Sequence, residues 1–396
     1  MAFTGATVWD GTGAPAVADA TLLVRDGRVV SLEAGGAVPE GAREVELSGR
    51  YLIPGLVDTH AHVTGRWAAD TVSEERARMQ EDLLLYARYG VTTVNSLGGA
   101  PEQAAGAVRE VGREVAPGHA RLRFAGEVVT GPSPEEARAQ VQANAARQVD
   151  WIKIRVDDNL GTTEKMAWPA VEATFEEAEA RGLPVATHIF YLEDAERLLE
   201  MGSGLIAHSV RDRPVTEAFA TELRERGVCY VPTLTREITT FAYADGPEWL
   251  DDPFFLRWAD EDEVATVTDP DFRARMAESP AAAQYREGLD QALENLAALD
   301  AAGAPLAFGT DAGPATRFPG FLQHLELELM VEAGLSPARA LETATGGAAA
   351  CLGLEEVGTL EPGRLADFLV LAADPLENVA ATRSLDAVYL GGVPLR

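Results

Sequence analysis

The chain has 396 residues, enough for one large barrel enzyme or for two to three ordinary domains. Hydrophobic residues make up 46% and charged residues 24%, a globular composition that excludes a disordered or low-complexity protein. Thirty-three basic and 63 acidic residues give a net charge of −30, so the chain repels phosphate backbones and anionic membrane surfaces. We therefore expect no nucleic-acid partner and no membrane binding.

Both ends of the chain carry short, apolar-alternating segments separated by turns, at residues 6–10, 20–25 and 28–33 and at residues 357–360, 368–371 and 387–390. Neither end has enough strands to close a sandwich alone. We predict one small β-sandwich domain formed by residues 1–53 together with residues 357–396, with residues 54–356 inserted between them as a second domain.

Residues 54–356 alternate short apolar strands with amphipathic helices, which is typical of βαβ units and a parallel sheet. The candidate strands are residues 55–58, 91–96, 121–127, 151–156, 184–188, 205–208, 228–232 and 305–309. Eight such strands predict an α/β fold of the (β/α)8 TIM-barrel type, whose chemistry lies at the C-terminal strand ends. A doubly wound open sheet is the alternative, but no Gly-rich phosphate loop follows the first strand.

One segment interrupts this alternation between the seventh and eighth strands. Residues 236–285 form an insertion rich in acidic and aromatic residues. The insertion is either a surface excursion packed on itself or a lid over the pocket, because long insertions after barrel strands often close over substrate.

A histidine pair lies at the end of the first barrel strand. His60 and His62 are two residues apart on an extended segment, so their side chains point to the same side. Two unrelated polar residues at a strand end would give the same pattern. However, His188 and His208 end the fifth and sixth strands and Asp311 ends the eighth. Because these strand ends meet at one mouth of a closed barrel, the five side chains predict a metal site.

A lysine lies within the fourth barrel strand of a chain that otherwise uses arginine. Lys153 and Lys165 are the lysines among the 33 basic residues. An ammonium group between two isoleucines is costly to bury unpaired, so one interpretation is a salt bridge from Lys153 to Asp311 or another acid. The second is that its neutral amine captures carbon dioxide as a carbamate bridging two metal ions, which a permanently charged arginine cannot do. We expect Lys165 to be solvated.

The chain resembles the amidohydrolase superfamily, in its imidazolonepropionase-like and prolidase-like branch with a binuclear metal centre. The resemblance rests on GLVDTHAH at 55–62, WIKI at 151–154, ATHIF at 186–190, LIAHS at 205–209 and FGTDAG at 308–313. It covers nearly the whole chain and is weakest in the 236–285 insertion. Ser209 departs from the pattern, because relatives often have glycine there.

The resemblance implies a ligand set and a reaction. His60, His62 and Asp311 would hold the more buried metal ion, His188 and His208 the more exposed one, and N6-carboxylated Lys153 would bridge both. Zinc is the first expectation, with manganese and iron as alternatives. A metal-bridging hydroxide would attack the scissile carbonyl of a small-molecule substrate, with Asp311 as the proton shuttle to the leaving nitrogen. Such a hydrolase cleaves a C–N bond of an amide, peptide or carbamate, and esters are not excluded.

Two other functions stay open at this point. A mononuclear deaminase of the same superfamily would need a glutamate just after the His188 region, whereas Glu193 lies five residues beyond it. A catalytically inactive barrel scaffold would have lost metal ligands, whereas all six positions are filled. The sequence identifies neither the substrate nor whether the chain forms a homo-oligomer.

Two arginines are candidates for contact with the substrate. Arg155 lies two residues beyond Lys153, so strand periodicity points it to the same side, and Arg317 lies in the loop after the eighth strand. Each could form a salt bridge with a nearby acid such as Asp157 or Asp158. Alternatively, their guanidinium groups bind a substrate carboxylate.

The first residues of the chain and its cysteines bear on its location. The start has neither the basic residues nor the apolar stretch of a secretory signal. Two cysteines, Cys229 and Cys351, are too few for a disulfide framework and fit a reducing compartment. These features predict a cytoplasmic protein.

Overall fold

The computed structural model of the chain describes residues 1–64, 69–101 and 103–396. The strands are β1 (Ala2–Val8), β2 (Val17–Arg25), β3 (Arg28–Ala34), β4 (Glu44–Glu46), β5 (Tyr51–Pro54), β6 (Leu56–Ala61), β7 (Val91–Ser96), β8 (Arg121–Phe124), β9 (Ile152–Arg155), β10 (Val185–His188), β11 (Leu205–Ala207), β12 (Cys229–Val231), β13 (Phe368–Leu371), β14 (Leu385–Leu390) and β15 (Val393–Pro394). The α-helices are α1 (Val72–Arg88), α2 (Ala105–Gly112), α3 (Pro134–Ala146), α4 (Trp168–Glu179), α5 (Leu192–Glu200), α6 (Glu217–Arg226), α7 (Leu234–Ile238), α8 (Pro253–Leu256), α9 (Glu261–Thr268), α10 (Pro270–Ala277), α11 (Pro280–Ala301), α12 (Phe321–Glu332), α13 (Pro337–Thr343) and α14 (Gly346–Cys351). Their alternation through the middle of the chain defines an α/β fold.

Strands from both ends of the chain share one sheet. Its order is β15-β14-β13-β5-β1-β2-β3, with β4 paired to β1. β13 pairs antiparallel with β5, which joins residues 368–371 to residues 51–54. Phe3, Phe368 and Tyr389 lie in its apolar core, where the rings of Phe368 and Tyr389 stack 4.6 Å apart. The two ends therefore meet in a single eight-stranded sheet, and the β-sandwich expected from residues 1–53 and 357–396 stays a prediction.

Parallel strands occupy the middle of the chain, in the orders β6-β7-β8 and β12-β11-β10-β9. The predicted eighth strand is an extended segment, residues 305–311, rather than a regular strand. The Tyr230 amide donates to the Pro305 carbonyl at 2.9 Å, and the Thr59 amide donates to the Phe308 carbonyl at 3.0 Å. This segment therefore contacts β12 on one side and β6 on the other. We call the C-terminal ends of the parallel strands the mouth and their N-terminal ends the base.

The helices begin where the sequence supplies capping side chains. Thr71 and Glu74 form a reciprocal capping box at the start of α1, and Ser133 and Glu136 form another at the start of α3. Each box satisfies amide donors that the first helical turn leaves unpaired. Within the described ranges, no helix has the length and the apolar character needed to cross a membrane.

At the base, Arg121 joins the parallel strands to the terminal sheet. Its Nε donates to Asp367 Oδ2 at 2.8 Å and its Nη2 donates to Asp367 Oδ1 at 3.2 Å. The same guanidinium donates to the carbonyls of Gly112, Glu114 and Val115 at 2.6, 2.7 and 2.9 Å. Both charged side chains are buried, so the pair needs this dense hydrogen bonding to offset its desolvation.

A disulfide bond also lies at the base, and it contradicts the expectation from cysteine number. Cys229, the first residue of β12, is bonded to Cys351, the last residue of α14, which lies 122 positions further along the chain, and the Cα–Cα distance is 6.0 Å. A count of cysteines cannot reveal this pairing, because only the fold brings the start of β12 and the end of α14 together. A closed loop of this length restricts the unfolded chain.

The 236–285 insertion packs against the body of the fold rather than only on itself. The ring of Phe255 lies 4.9 Å from that of Phe318 and 5.0 Å from that of Phe321 at the start of α12. Trp249 lies 5.3 Å from Phe321, and the Tyr89 hydroxyl donates to the Phe255 carbonyl at 2.7 Å. The interpretation as a self-packed excursion is therefore wrong, whereas the lid stays a prediction.

Candidate metal centre

The mouth brings together the residues that the sequence selected as metal ligands. His60 is the second-to-last residue of β6, and His62 follows the end of that strand. His188 is the last residue of β10, and His208 directly follows β11. Asp311 lies at the end of the 305–311 segment. Lys153 lies within β9, opposite Ala186 of β10 in the strand register. Parallel strands carry all of these side chains to the same end because their C-terminal ends share one edge.

The side chains of Asp311, His60, His62 and Lys153 form one connected group. His62 Nε2 lies 2.6 Å from Asp311 Oδ1, and His60 Nε2 lies 3.3 Å from the same oxygen. The Lys153 Nζ lies 3.4 Å from His60 Nε2. One carboxylate oxygen, two imidazole nitrogens and one amine nitrogen therefore occupy a single small volume.

The remaining two histidines extend this cluster. The His208 ring lies 4.5 Å from the His60 ring, and the His188 ring lies 4.1 Å from the His208 ring. Candidate ligand atoms of His60, His208 and Asp311 all lie within 4.8 Å of one another. Nitrogen and carboxylate donors of this kind suit zinc and its neighbours in the first transition row.

Protein acceptors orient three of the imidazole rings. The contacts join His62 Nδ1 to Gly98 O at 2.8 Å, His188 Nε2 to Asp157 Oδ2 at 2.9 Å, and His208 Nδ1 to Thr233 Oγ1 at 2.7 Å. Such contacts fix the tautomer and the ring orientation, and they leave the opposite nitrogen free to bind a metal.

Burial favours the uncharged form of four nitrogen bases in the cluster. It lowers the pKa of His60 and of His208 well below the usual range, and it lowers the pKa of His188 to about 3. Burial also lowers the pKa of Lys153 to about 7, so the amine is substantially neutral near neutral pH. Neutral imidazole and neutral amine are the forms with a lone pair to share.

The carboxylate of the cluster stays ionised. Burial alone would raise the pKa of Asp311, but Arg317 and His62 hold it well below its ordinary value. His62 Nδ1 lies 2.8 Å from the Gly98 carbonyl, and His62 Nε2 lies 2.6 Å from Asp311 Oδ1. A proton on Nε2 or a bound cation would satisfy both of the latter atoms. His60 Nδ1 is also buried without a hydrogen-bond partner in the described part of the chain, so this donor set fits a bound cation.

The backbone is strained where the ligands leave their strands. His208 has φ of 75°, Asp311 has φ of 59° and Thr233 has φ of 50°. Residues with a side chain rarely adopt this left-handed region, and a β-branched threonine does so least readily. Such residues cluster at functional sites, because surrounding structure must hold them there.

The two candidate substrate arginines both lie beside carboxylates of the mouth. Arg317 Nη1 donates to the Asp311 carboxylate, and Arg155 Nε donates to Asp157 Oδ1 at 2.6 Å. The Arg155 side chain is 43% exposed, at the rim. The salt bridge to Asp157 that the sequence allowed is therefore present, and the contact with a substrate stays a prediction for both arginines.

Sequence reasoning missed several partners of the cluster. The contact of Asp157 with His188 could have been predicted, because Asp157 follows Arg155 by two residues at the end of the same strand. The contact of Thr233 with His208 could not, because it depends on the turn after β12. Lys165 was expected to be solvated, but its Nζ lies 2.6 Å from Asp194 and 4.1 Å from the centre of the Tyr191 ring.

Comparisons with known proteins agree with this architecture. The amidohydrolase family profile matches residues 51–395. The imidazolonepropionase of Deinococcus radiodurans is 29% identical, covering 96% of this chain and 92% of its own. A molinate hydrolase structure has a TM-score of 0.76 at 22% identity, covering 99% of this chain and 94% of its own. An Xaa-Pro dipeptidase structure has a TM-score of 0.78 at 20% identity, covering 99% and 98%.

The family match spans well over half of the chain, and the two solved structures share its fold. The chain belongs to the amidohydrolase family. Over nearly its whole length it is similar to imidazolonepropionases, and it is a hydrolase that acts on carbon–nitrogen bonds.

Proposed function

We propose that the chain is a metal-dependent hydrolase that cleaves an amide, peptide or carbamate-like C–N bond of a small molecule. The observation that carries this proposal is the continuous contact among six potential ligands at the mouth, with His62 Nε2 and Asp311 Oδ1 only 2.6 Å apart. Relatives named imidazolonepropionase, molinate hydrolase and Xaa-Pro dipeptidase support small-molecule C–N substrates.

Six side chains would hold two divalent ions. His60, His62 and Asp311 would bind the more buried ion, His188 and His208 the more exposed one, and carboxylated Lys153 would bridge them. Zinc is the first candidate, and manganese or iron would also suit these donors. The lowered pKa of Lys153 supports the bridge, because the neutral Nζ can add to carbon dioxide and release one proton to give the carbamate.

The protein's own groups have distinct tasks in the reaction. Bound divalent ions supply Lewis acidity toward the scissile carbonyl and lower the pKa of a water molecule. Asp311 is ionised, so its carboxylate can accept the proton that the nucleophile loses and deliver it to the leaving nitrogen. Arg317 Nη1 donates a hydrogen bond to Oδ2 of this carboxylate. In this proposal Arg317 and Arg155 at the rim also contact the substrate.

The proposed architecture is a barrel with a terminal sandwich. Hydrogen bonds from residues 305–311 to both β12 and β6 support closure of the parallel strands into a (β/α)8 barrel over residues 54–356. The edge-to-face contact between Phe3 and Phe368, 4.9 Å apart, supports a sheet that folds over its own core. In this proposal residues 1–53 and 357–396 form that second domain, and the protein is cytoplasmic.

Metal content and a substrate screen test the proposed function together. The purified protein should carry close to two divalent ions per chain, and the loaded enzyme should hydrolyse some of a set of N-acyl amino acids, dipeptides, cyclic amides and aryl carbamates. At most one ion with full activity would contradict the binuclear centre and favour a mononuclear deaminase. An empty protein with no activity after metal loading would favour an inactive scaffold.

Variants of the two lysines test the carbamate. Lys153→Ala should lose the second ion and most activity, and a short carboxylic acid should restore part of both. Lys165→Ala is the matched control, because that lysine lies outside the cluster and should leave metal content unchanged. A fully active Lys153→Arg would contradict the carbamate, since a fixed cation cannot bridge metal ions.

A further inference from the structure

A buried ion network with unequal charges lies beside the metal cluster. Arg211 Nη1 donates to Glu237 Oε1, and Arg236 Nη1 donates to Glu237 Oε2 at 3.1 Å. The three side chains have exposed fractions of 9% or less. Guanidinium groups stay protonated in proteins, so two buried cations share one carboxylate.

Arg236 is the surplus member of this network. Arg211 is fully buried, donates to the Ile189 carbonyl at 2.6 Å and lies over the Phe190 ring, so it is the structural partner of Glu237. Arg236 keeps 9% of its side chain exposed. Besides its contact with Glu237, Arg236 donates a long hydrogen bond, 3.3 Å, from Nη2 to the Tyr285 hydroxyl, and its guanidinium lies over the Tyr285 ring. Without Arg236, the Arg211–Glu237 pair would remain electrically neutral.

The fold holds Arg236 at the mouth. It lies in α7, directly after β12, and the neighbouring Thr235 Oγ1 donates to the carbonyl of Thr310, the residue before Asp311. Glu326 accepts hydrogen bonds from the amides of Leu234 and Thr235 at 2.8 and 2.7 Å, which fixes the start of α7. The start of this short helix is therefore held both by Glu326 of α12 and by the residue that precedes Asp311.

The charge of Asp311 at the mouth acts on Arg236. Burial lowers the pKa of Arg236, but Glu237, then the Tyr285 hydroxyl and last the charge of Asp311 outweigh burial and raise it. The neighbouring arginines each have a carboxylate within reach: Arg155 has Asp157, Arg317 has Asp311 and Arg213 has Asp212. Because a buried charge is costly without a full partner, a second anion beside Arg236 would be stabilised strongly.

We propose that Arg236 determines substrate specificity by binding a carboxylate of the substrate, so that the enzyme prefers C–N substrates with a free carboxylate over their neutral amides. This inference rests on the proposed hydrolase function and specifies its substrate class. The planar guanidinium fork matches a carboxylate and would orient it next to the metal cluster. A local surplus cation also offsets the repulsion that a chain of net charge −30 exerts on an anionic substrate.

The test compares N-acetyl amino acids with their C-terminal amides as matched substrates. Wild type should prefer the acids. Arg236→Met should lower kcat/KM for the acids by about tenfold to 150-fold, mainly through KM, because a charge-assisted hydrogen bond is lost. The amides should change by less than about threefold, a loss smaller than one ordinary hydrogen bond. Arg236→Lys should fall between wild type and Arg236→Met, and Arg213→Met, a surface control, should match wild type.

Equal losses for acids and amides in Arg236→Met, or no loss for either, would overturn the proposal. A binding measurement separates it from failure of the proposed function. In isothermal titration, N-acetyl-L-phenylalanine should bind wild type at least tenfold more tightly than it binds Arg236→Met, while its amide binds both equally. That result would support the anion site even if wild type hydrolysed nothing, and equal binding of the acid by both proteins would refute it. Thermal unfolding of Arg236→Met and Arg236→Lys checks that both variants fold.

Discussion

Two buried polar clusters, one at each end of the parallel strands, differ in how far protein groups satisfy their hydrogen bonds. At the base, Arg121 donates to Asp367 and to surrounding carbonyls, and the Cys229–Cys351 disulfide ties β12 to α14. At the mouth, His62 Nε2 and Asp311 Oδ1 lie 2.6 Å apart within a group of potential ligands, and His60 Nδ1 has no hydrogen-bond partner among the described residues. The Arg121 network at the base is satisfied by protein groups, whereas the cluster at the mouth leaves nitrogen and oxygen atoms available for ligands. Changes at the base should therefore alter stability, and changes at the mouth should alter catalysis.

The largest effect should come from Asp311→Asn. Asparagine keeps the size and tolerates positive φ, so the fold should persist, but the carboxylate that carries the proton is lost. We expect kcat to fall by about 10²–10⁴-fold with little change in thermal stability. Steady-state kinetics across neutral pH measures this, with Asp386→Asn, in a surface ion pair, as the control. A near-normal kcat would remove the distinction between mouth and base.

Arg121→Met should show the reverse pattern. It leaves Asp367 buried with its Gly391 amide contact but without its cation, which costs about 3–5 kcal/mol of unfolding free energy. Urea denaturation should show this loss, whereas kcat per folded molecule should stay unchanged. Arg226→Met removes an exposed ion pair and should cost less than about 1 kcal/mol. Adding Asp367→Asn to Arg121→Met should recover stability. A loss of kcat in folded Arg121→Met would contradict the separation of roles.

The smallest effect concerns His324, a buried histidine outside the cluster. Its ring bonds the Tyr89 carbonyl at 2.8 Å and Thr382 Oγ1 at 2.9 Å, and burial lowers its pKa to about 4. The unfolded chain, with a pKa near 6.5, takes up the proton first as pH falls. The contribution to stability is therefore complete above about pH 6.5 and is lost down to about pH 4.

Urea denaturation at pH 7 and pH 5 measures this loss. Between these values the wild type should lose about 2 kcal/mol more than His324→Gln does. Equal losses in the two proteins would show that burial does not lower the pKa of His324 in the folded protein, and would contradict this prediction.

Most residues of the mouth could be predicted from the sequence, because residues that end parallel strands come together at one edge of the sheet. His60, His62, His188, His208 and Asp311 each ended an apolar run, and the parallel arrangement of those runs fixed where they would meet. Lys153 stood out by residue type alone, in a chain that otherwise uses arginine.

What the sequence could not predict depends on contacts between distant segments. The disulfide joins residues 122 positions apart, and the Arg121–Asp367 pair joins β8 to the terminal sheet. Thr233 reaches His208 because the turn after β12 adopts a left-handed conformation, which no local pattern announces. The 236–285 insertion has no strand period, so its packing against Phe318 and Phe321 emerged only from the structure.

The left-handed backbone at His208, Thr233 and Asp311 limits how the thermal stability of this protein can be raised without loss of activity. Each such residue costs on the order of 1–3 kcal/mol, so many replacements there, glycine above all, would relieve strain and raise the melting temperature. In the proposed metal centre, however, the positions of the ligand atoms depend on this backbone conformation. A selection for thermal stability alone would therefore favour substitutions at these three positions that stabilise the fold and abolish activity. Engineering for stability should leave His208, Thr233 and Asp311 unchanged.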